Sequence, residues 1–82
     1  MEEYKCRVCG FEYDIPTWFN DNEATSDICI CCGVEFGFDD THYEAIIDYR
    51  KEWIGKGNKF HVPKLKPTSY QFQIENIPEK WK

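Results

Sequence analysis

Two cysteine pairs constrain this chain of 82 residues more than any other feature of its sequence. Cys6 and Cys9 form one pair, Cys29 and Cys32 the other, and each pair encloses two residues and is followed directly by a glycine. Two residues between the sulfurs allow a tight turn to aim both at one ion, and the glycine supplies the positive φ that closes the turn. This spacing is typical of four-thiolate zinc sites. We therefore predict that the four cysteines bind one Zn2+ ion, with iron as the alternative, because a tetrahedron of sulfurs suits either metal.

The fifth cysteine, Cys31, lies inside the second pair. We call residues 6–10 the first knuckle and residues 29–33 the second knuckle. Pairing Cys31 with Cys29 would give a cramped spacing of one residue, so we predict that Cys31 is a spare thiol. A redox role would need a depressed pKa, which the neighbouring acidic residues oppose, and we therefore expect a packed or exposed thiol without chemistry.

The short length of the chain gives the metal a structural role. Burial of apolar surface is nearly offset by conformational entropy in so small a chain, whereas metal binding can contribute ~10 kcal/mol or more of folding free energy. Four protein sulfurs leave no coordination position for a water nucleophile, so we predict no enzyme activity and no catalytic residues. His42 is expected to be a solvated surface residue and His61 a packing residue.

The expected fold is a small α+β domain stabilised by metal, with two zinc-ribbon knuckle hairpins, one helix and a packed C-terminal segment. Alternating large and polar residues predict hairpins at residues 4–13 and 29–38. Turn-forming residues predict little regular structure at residues 14–28. Helical spacing of apolar residues predicts a helix over residues 41–54, begun by capping oxygens and ended by glycine. The predicted capping residues are Asp39, Asp40 and Thr41, and the predicted terminators are Gly55 and Gly57.

The last third of the chain should run extended because it contains three prolines, apart from one short element at residues 70–77, for which we favour helix over strand. This segment is too aromatic for a disordered linker, so we expect it to dock on the knuckles and the helix. Residues 1–82 are predicted to form a single domain, with a metal-knuckle part at 1–40 and a helix and tail at 41–82. A buried position is expected for five aromatic residues: Phe36, Phe38, Tyr43, Trp53 and Trp81.

Charge is divided unevenly along the chain. Residues 1–48 carry twelve acids and two bases, a net charge of -10, whereas residues 49–82 carry three acids and eight bases, a net charge of +5. A zinc tetrathiolate adds further negative charge to the first part, so nucleic acid is not expected there and a protein with a basic surface is the expected partner. The alternative is that the basic half packs on the acidic half and screens its field.

Residues 1–5 and the cysteines indicate the cellular compartment of the protein. The first five residues lack the basic start and apolar stretch of a secretory signal, and no apolar run approaches the ~18 residues of a membrane span. We expect a cytoplasmic protein, since a reducing compartment favours metal binding over disulfides.

The knuckles resemble those of rubredoxins, which are iron electron carriers. Residues 4–14 are similar to the first rubredoxin knuckle and residues 29–34 to the second. The gap between the knuckles is shorter here, Ile30 stands where rubredoxins usually have proline, and about half of the chain lies beyond the match. The resemblance implies a rubredoxin-like fold and, as an alternative function, iron-based electron transfer.

A second resemblance extends over most of the chain. The residues that carry it are Tyr4, Cys6, Cys9, Gly10, residues 28–40, Arg50, Trp53, Ile54, Gly57 and residues 77–79. In these residues the chain resembles a family of small bacterial cysteine-rich proteins named after a CPCC motif, although Ile30 replaces the proline of that motif. The family has no assigned reaction, so this resemblance implies the metal site alone.

Our hypothesis from the sequence is a non-enzymatic zinc protein that acts as an interaction module through its acidic face. Small acidic immunity proteins that neutralise cationic toxins are one analogous type. The alternatives are a rubredoxin-like iron carrier and, last, a zinc-ribbon protein associated with nucleic acid.

Overall fold

Two cysteine turns, a short hairpin and one helix organise this computed structural model, which describes residues 2–82. Strand β1 is Trp18–Asn20, strand β2 is Glu23–Ala24 and helix α1 is Tyr43–Gly55. The predicted fold class, a small α+β unit around four cysteines, is confirmed. Three single-turn 3-10 helices follow in the C-terminal segment, at Pro63–Leu65, Ile74–Asn76 and Glu79–Trp81.

The β-hairpin lies between the knuckles, where we predicted little regular structure. Strand β1 pairs antiparallel with β2, with Trp18 opposite Ala24 and an irregularity before the pairing of Asn20 with Glu23. The Asn22 N–H donates to Asn20 Oδ1 at 2.8 Å. This side-chain bond reverses the chain, as asparagine commonly does in turns. The turn-forming residues therefore mark the tip of a hairpin rather than an irregular loop.

The predicted hairpins at 4–13 and 29–38 are reduced to single bridges. Lys5 pairs with Glu12 across the first knuckle and Ile28 with Glu35 across the second, both antiparallel. Each bridge closes its knuckle, and the chain diverges beyond it. Two-stranded ribbons this short have little stability of their own, so tertiary packing decides how far pairing continues.

Helix α1 starts two residues later than predicted. Its N-cap is His42, whose backbone is extended and whose side chain makes no capping hydrogen bond. Predicted capping by Asp39, Asp40 and Thr41 is wrong, because the N-cap is His42 and the two carboxylates accept hydrogen bonds from residues before the helix. Asp39 accepts the Glu35 N–H at 3.2 Å, and Asp40 accepts Trp18 Nε1–H at 3.0 Å.

The helix ends in the glycine-containing cap that the sequence predicts. Gly57 has φ +97°. Its N–H donates to Ile54 O at 3.0 Å, and the Asn58 N–H donates to Trp53 O at 3.1 Å. This pair of bonds is the Schellman motif, which satisfies carbonyl groups at a helix C-terminus.

One face of α1 fastens the helix to the rest of the molecule. Ile46, Arg50 and Trp53 share this face, and all three are buried. Arg50 Nε donates to Val8 O at 2.6 Å, and its Nη2 donates to Trp81 O at 2.7 Å. One guanidinium therefore joins the helix to the first knuckle and to the C-terminal segment.

The C-terminal segment docks on the knuckles and the helix, as expected. The Tyr70 ring lies 4.9 Å from that of Phe60, and the Phe72 ring meets Trp53 edge-on at 5.1 Å between centroids. Ile77 is 1% exposed. Residues 70–77 hold neither an α-helix nor a strand, and Ile74–Asn76 forms one 3-10 turn. Because Pro78 disfavours helical backbone at the residue before it, a longer helix is blocked.

The prediction of five buried aromatic residues is correct only in part. Phe36 and Trp53 are buried and Trp81 is half-buried, whereas Phe38 is 73% exposed and Tyr43 is exposed. Gly37, with φ +87°, turns the backbone between Phe36 and Phe38. The change of direction leaves Phe38 exposed next to the buried Phe36.

Among residues 2–82, no helix combines the length and the apolar character that crossing a bilayer requires.

Candidate metal centre

The two knuckles have the same backbone construction. In the first, the Gly10 N–H donates to Cys6 O at 2.9 Å, and in the second the Gly33 N–H donates to Cys29 O at the same distance. Both glycines adopt a positive φ, +80° and +84°. A β-carbon on Gly10 would lie 2.8 Å from the carbonyl carbon of Asn76. The glycines therefore close the turns, and the first also allows the C-terminal segment to approach.

These turns bring together the four cysteines that the spacing singled out. The ligand atoms of Cys6, Cys9, Cys29 and Cys32 lie within 4.8 Å of one another, and all four residues are buried. The Cys6 and Cys32 sulfurs are 3.6 Å apart, and the Cys9 and Cys29 sulfurs 3.8 Å. A regular tetrahedron with metal–sulfur bonds of ~2.3 Å has edges of about 3.8 Å. The donor set therefore fits one tetrahedral metal ion.

The protein environment shifts the pKa values of the cluster cysteines in opposite directions. Hydrogen bonds with the thiols of Cys32, Cys6 and Cys9 lower the pKa of Cys29. Burial raises the pKa of Cys9 and that of Cys32. A metal ion that binds all four sulfurs must therefore displace the protons that burial favours on Cys9 and Cys32.

Two tyrosines border the sulfur cluster. Tyr13 Oη donates to Cys29 Sγ at 3.1 Å and accepts the Ile30 N–H at 3.0 Å. Tyr49 Oη contacts Cys32 O at 3.4 Å as a donor. Burial, followed by the charge on Cys29, raises the pKa of Tyr13. Burial also raises the pKa of Tyr49 to about 12. Both hydroxyl groups are therefore neutral donors at physiological pH.

Cys31 lies outside the cluster. Its side chain is fully buried, and its Sγ donates to Tyr70 Oη at 3.2 Å. Hydrogen bonds with Cys9 and then Tyr70 lower the pKa of Cys31, in spite of burial. The expectation that acidic neighbours would oppose a lowered pKa is wrong, because a sulfur and a hydroxyl surround this thiol. The burial of Cys31 nevertheless agrees with our expectation of a packed thiol.

Neither histidine belongs to the sulfur cluster in residues 2–82. His42 is exposed, as predicted. His61 is also exposed, but its ring covers the second knuckle, since a β-carbon on Gly33 would lie 3.1 Å from His61 Nδ1. The His61 N–H donates to Cys31 O at 2.9 Å. His61 therefore packs on the second knuckle, as expected, although its side chain is exposed.

Tyr13 and Arg50 are important residues to which the sequence analysis gave no role at the site. Tyr13 had a usable signal, because Cys9, Phe11 and Tyr13 alternate with Gly10 and Glu12, and alternating side chains share one face. The spacing of Arg50 from Ile46 and Trp53 places it on the buried face of the helix. Its main-chain partners lie up to 43 residues away along the chain, so local patterns carry no signal for them.

The fold and the site define a class of small α+β proteins with four clustered cysteines able to hold a metal ion. This chain belongs to a family that includes two uncharacterised proteins of Bacillus subtilis strain 168, YoaQ and YozI. It is 32% identical to YoaQ over an alignment of 95 positions, gaps included, which covers 96% of this chain and 71% of YoaQ. It is 32% identical to YozI over an alignment of 94 positions, gaps included, which covers 94% of this chain and 69% of YozI.

No family model and no solved structure matches the chain. Because both relatives are uncharacterised, the family adds no activity, and function has to be argued from the site.

Proposed function

We propose that this chain is a non-enzymatic zinc-binding protein whose four thiolates hold one structural ion and whose acidic half binds a protein with a basic surface. The observation that carries the metal proposal is the set of four buried sulfurs within 4.8 Å of one another. Sulfur ligands suit zinc, and a complete set of protein ligands leaves no open position for catalysis.

The acidic face is supported by the way ion pairs are distributed. Within residues 2–82, three ion pairs form: Arg7 with Glu3, Lys56 with Glu52, and Lys82 with Glu79. None joins an acid of residues 2–48 to a base of residues 49–82. Arg50, which does reach the first knuckle, binds main-chain carbonyls instead. The acidic groups thus lack direct neutralisation by the basic half, which supports a role for them in binding a partner.

The family resemblance, the kind of partner and the cellular compartment belong to the same proposal. The resemblance to the CPCC family rests on residues of both knuckles, of helix α1 and of the C-terminal segment, and it supports a metal site. An immunity protein that neutralises a cationic toxin is one form that binding through an acidic face would take. We place the protein in the reducing cytoplasm, since all five cysteines are free thiols.

Metal content and the visible absorption spectrum test the metal proposal. The protein would be expressed with both iron and zinc in the medium and purified without chelator. We expect one equivalent of zinc per chain and no visible absorption band. A preparation without stoichiometric metal would reject the site, and stoichiometric iron with a red colour would reject zinc.

Iron-based electron transfer is the second candidate, and one observation favours it. Cys32, at 6% exposed, is the most exposed of the four cluster cysteines and lines a small cleft with Tyr49 and Trp53. A metal bound at Cys32 would lie close to solvent, as one-electron exchange with a partner requires. Reversible bleaching of a red protein by dithionite would support this candidate over structural zinc. A nucleic-acid role, which only the basic tail could support, ranks third.

Binding through the acidic half is tested by affinity capture from the native cell lysate. A variant with Glu12→Gln, Asp21→Asn and Glu23→Gln would be compared with a control carrying Glu52→Gln and Glu75→Gln in the basic half. We expect wild type and the control to retain a protein of basic isoelectric point that the acidic-half variant loses. Equal retention by all three proteins would contradict the acidic face as the binding surface.

A further inference from the structure

An apolar groove lies on the outer side of the knuckles. Its volume is about 270 Å3, and Asp27 stands among the apolar residues that line it. Ile15 is 61% exposed and Ile28 is 49% exposed, so two large apolar side chains of the groove face solvent. Asp14 and Asp27, the neighbours of these isoleucines in the chain, are also exposed. The apolar lining is Tyr13, Ile15, Pro16, Ile28, Ile30 and Phe36.

A surface turn of the same chain has the complementary chemistry. The 3-10 turn Pro63–Leu65 presents Leu65, which is 51% exposed, between Lys64 and Lys66. Both lysines are exposed, and neither forms an ion pair within residues 2–82. The turn therefore offers one apolar side chain flanked by two free positive charges.

The groove and the turn are neighbours on the surface. The Val62 N–H donates to Ile30 O at 2.9 Å, so the turn starts beside a residue that lines the groove. Three residues of 3-10 helix advance the chain by only ~6 Å. One continuous patch thus carries an apolar groove with acidic neighbours and an apolar residue with basic neighbours. Such self-complementarity is what a two-fold symmetric interface requires, because each contact then occurs twice.

We propose that a second copy of this chain docks on this patch, with Leu65 of each copy in the groove of the other. Lys64 and Lys66 then lie against the carboxylates of Asp14 and Asp27 of the partner copy. Each copy carries a net charge of -5, which opposes association. At physiological ionic strength, however, charges further apart than ~8 Å are largely screened, so the close opposite charges dominate. This dimer goes beyond the proposed function and does not depend on what the acidic half binds.

Sedimentation equilibrium of the metal-loaded full chain tests the proposal. From low micromolar to near-millimolar concentration, we expect the mass to rise from that of one chain to that of two. Leu65→Glu removes the apolar anchor and places a negative charge against the acidic groove, so the dissociation constant should rise roughly tenfold or more. Ile54→Glu is the matched control, since Ile54 is 42% exposed on α1 and lies outside both groove and turn. The control should leave the dissociation constant unchanged.

A charge exchange between two variants gives a second, independent test. The double variant Asp14→Lys with Asp27→Lys and the double variant Lys64→Glu with Lys66→Glu should each be monomeric, because like charges meet at both contacts. Mixed in equal amounts, they should form a heterodimer, because each contact then pairs opposite charges. Unchanged metal content and circular dichroism would show that the variants are folded.

Three results would overturn the proposal. The first is a wild-type protein that stays monomeric at every concentration. The second is a dimer that Leu65→Glu and Ile54→Glu weaken equally, which would place the interface elsewhere. The third is a mixture of the charge variants that remains monomeric while wild type dimerises.

Discussion

Arg7 is a buried cation, and each nitrogen of its guanidinium donates a hydrogen bond. Its guanidinium lies between two indole rings, 3.8 Å from the centroid of Trp18 and 4.0 Å from that of Trp81. Its Nε and Nη2 donate to the carboxylate of Glu3, and its Nη1 donates to Asp40 O. Lysine could not replace Arg7 here, because only the planar guanidinium can stack on two rings and donate in parallel to one carboxylate. A residue inside the first knuckle therefore connects that knuckle to β1 and to the C-terminus.

The first prediction separates the two kinds of cysteine. Cys29→Ala removes a sulfur from the cluster, so the variant should lose the bound metal and unfold. Cys31→Ala removes a sulfur that contacts Tyr70, so metal content should stay near one equivalent and stability should fall only by about 1 kcal/mol. Metal analysis and urea unfolding measure both effects. Loss of a full metal equivalent in the Cys31 variant would contradict our ligand assignment.

A second residue-scale prediction concerns Tyr49 in alkaline solution. Its pKa is about 12 in the folded protein, above the ordinary value of 10. A raised pKa means that the neutral hydroxyl is favoured by folding, so its contribution is complete below pH 10 and is lost as pH rises through about 12. Wild type should therefore lose stability relative to Tyr49→Phe over this range. Urea unfolding of both proteins measures the difference, and a constant difference would contradict the shift.

At the scale of elements, the existence and the end of helix α1 could be predicted from the sequence, but the residue at which it begins could not. Ile46, Arg50 and Trp53 follow a helical repeat, and Gly57 supplies the backbone conformation that ends α1. Both signals are local, so the sequence contains them. The start of the helix depends on Asp40, which bonds Trp18 22 residues earlier in the chain. Capping propensity could not predict this, because tertiary hydrogen bonds compete for the same carboxylate.

The third prediction is that alanine substitutions at the two glycines near the end of α1 change the stability of the protein in opposite directions. A β-carbon would meet no atom within 4 Å at Gly55 or at Gly57, so neither substitution creates a clash. Gly55 is in the helix, where alanine is favoured, whereas Gly57 has φ +97°, where alanine is strained. Gly55→Ala should stabilise the protein by up to ~1 kcal/mol and Gly57→Ala should destabilise it by about 1 kcal/mol. Urea unfolding of the zinc-loaded variants measures both, and equal shifts would contradict the assigned cap.

For the whole molecule, the sequence predicted the cluster better than its surroundings. The four cysteines could be found because knuckle spacing is a local property. The contacts that surround the second knuckle are not local, as between Tyr70 and Cys31, which are 39 residues apart. The docking of the C-terminal segment could be expected from its aromatic content, but the partner of each ring could not, since many apolar pairings satisfy the same composition.

The fourth prediction concerns removal of the metal. Metal binding can supply ~10 kcal/mol or more, which is comparable to the whole net stability of a small protein. A strong chelator under reducing conditions should therefore abolish the helical circular dichroism signal and expose Trp18 and Trp53, which are buried. Adding back one equivalent of zinc should restore both signals. A chelated protein that still unfolds cooperatively in urea would contradict a structural role for the metal.

The position of the four cluster cysteines has a consequence for synthesis of the protein on the ribosome. All four lie within the first 32 residues, whereas helix α1 begins at Tyr43. Chains emerge N-terminus first at ~5–20 residues per second, so both knuckles leave the exit tunnel seconds before the C-terminal segment. We expect the nascent chain to capture its metal early and to use the closed knuckles as the template on which α1 and the aromatic tail assemble.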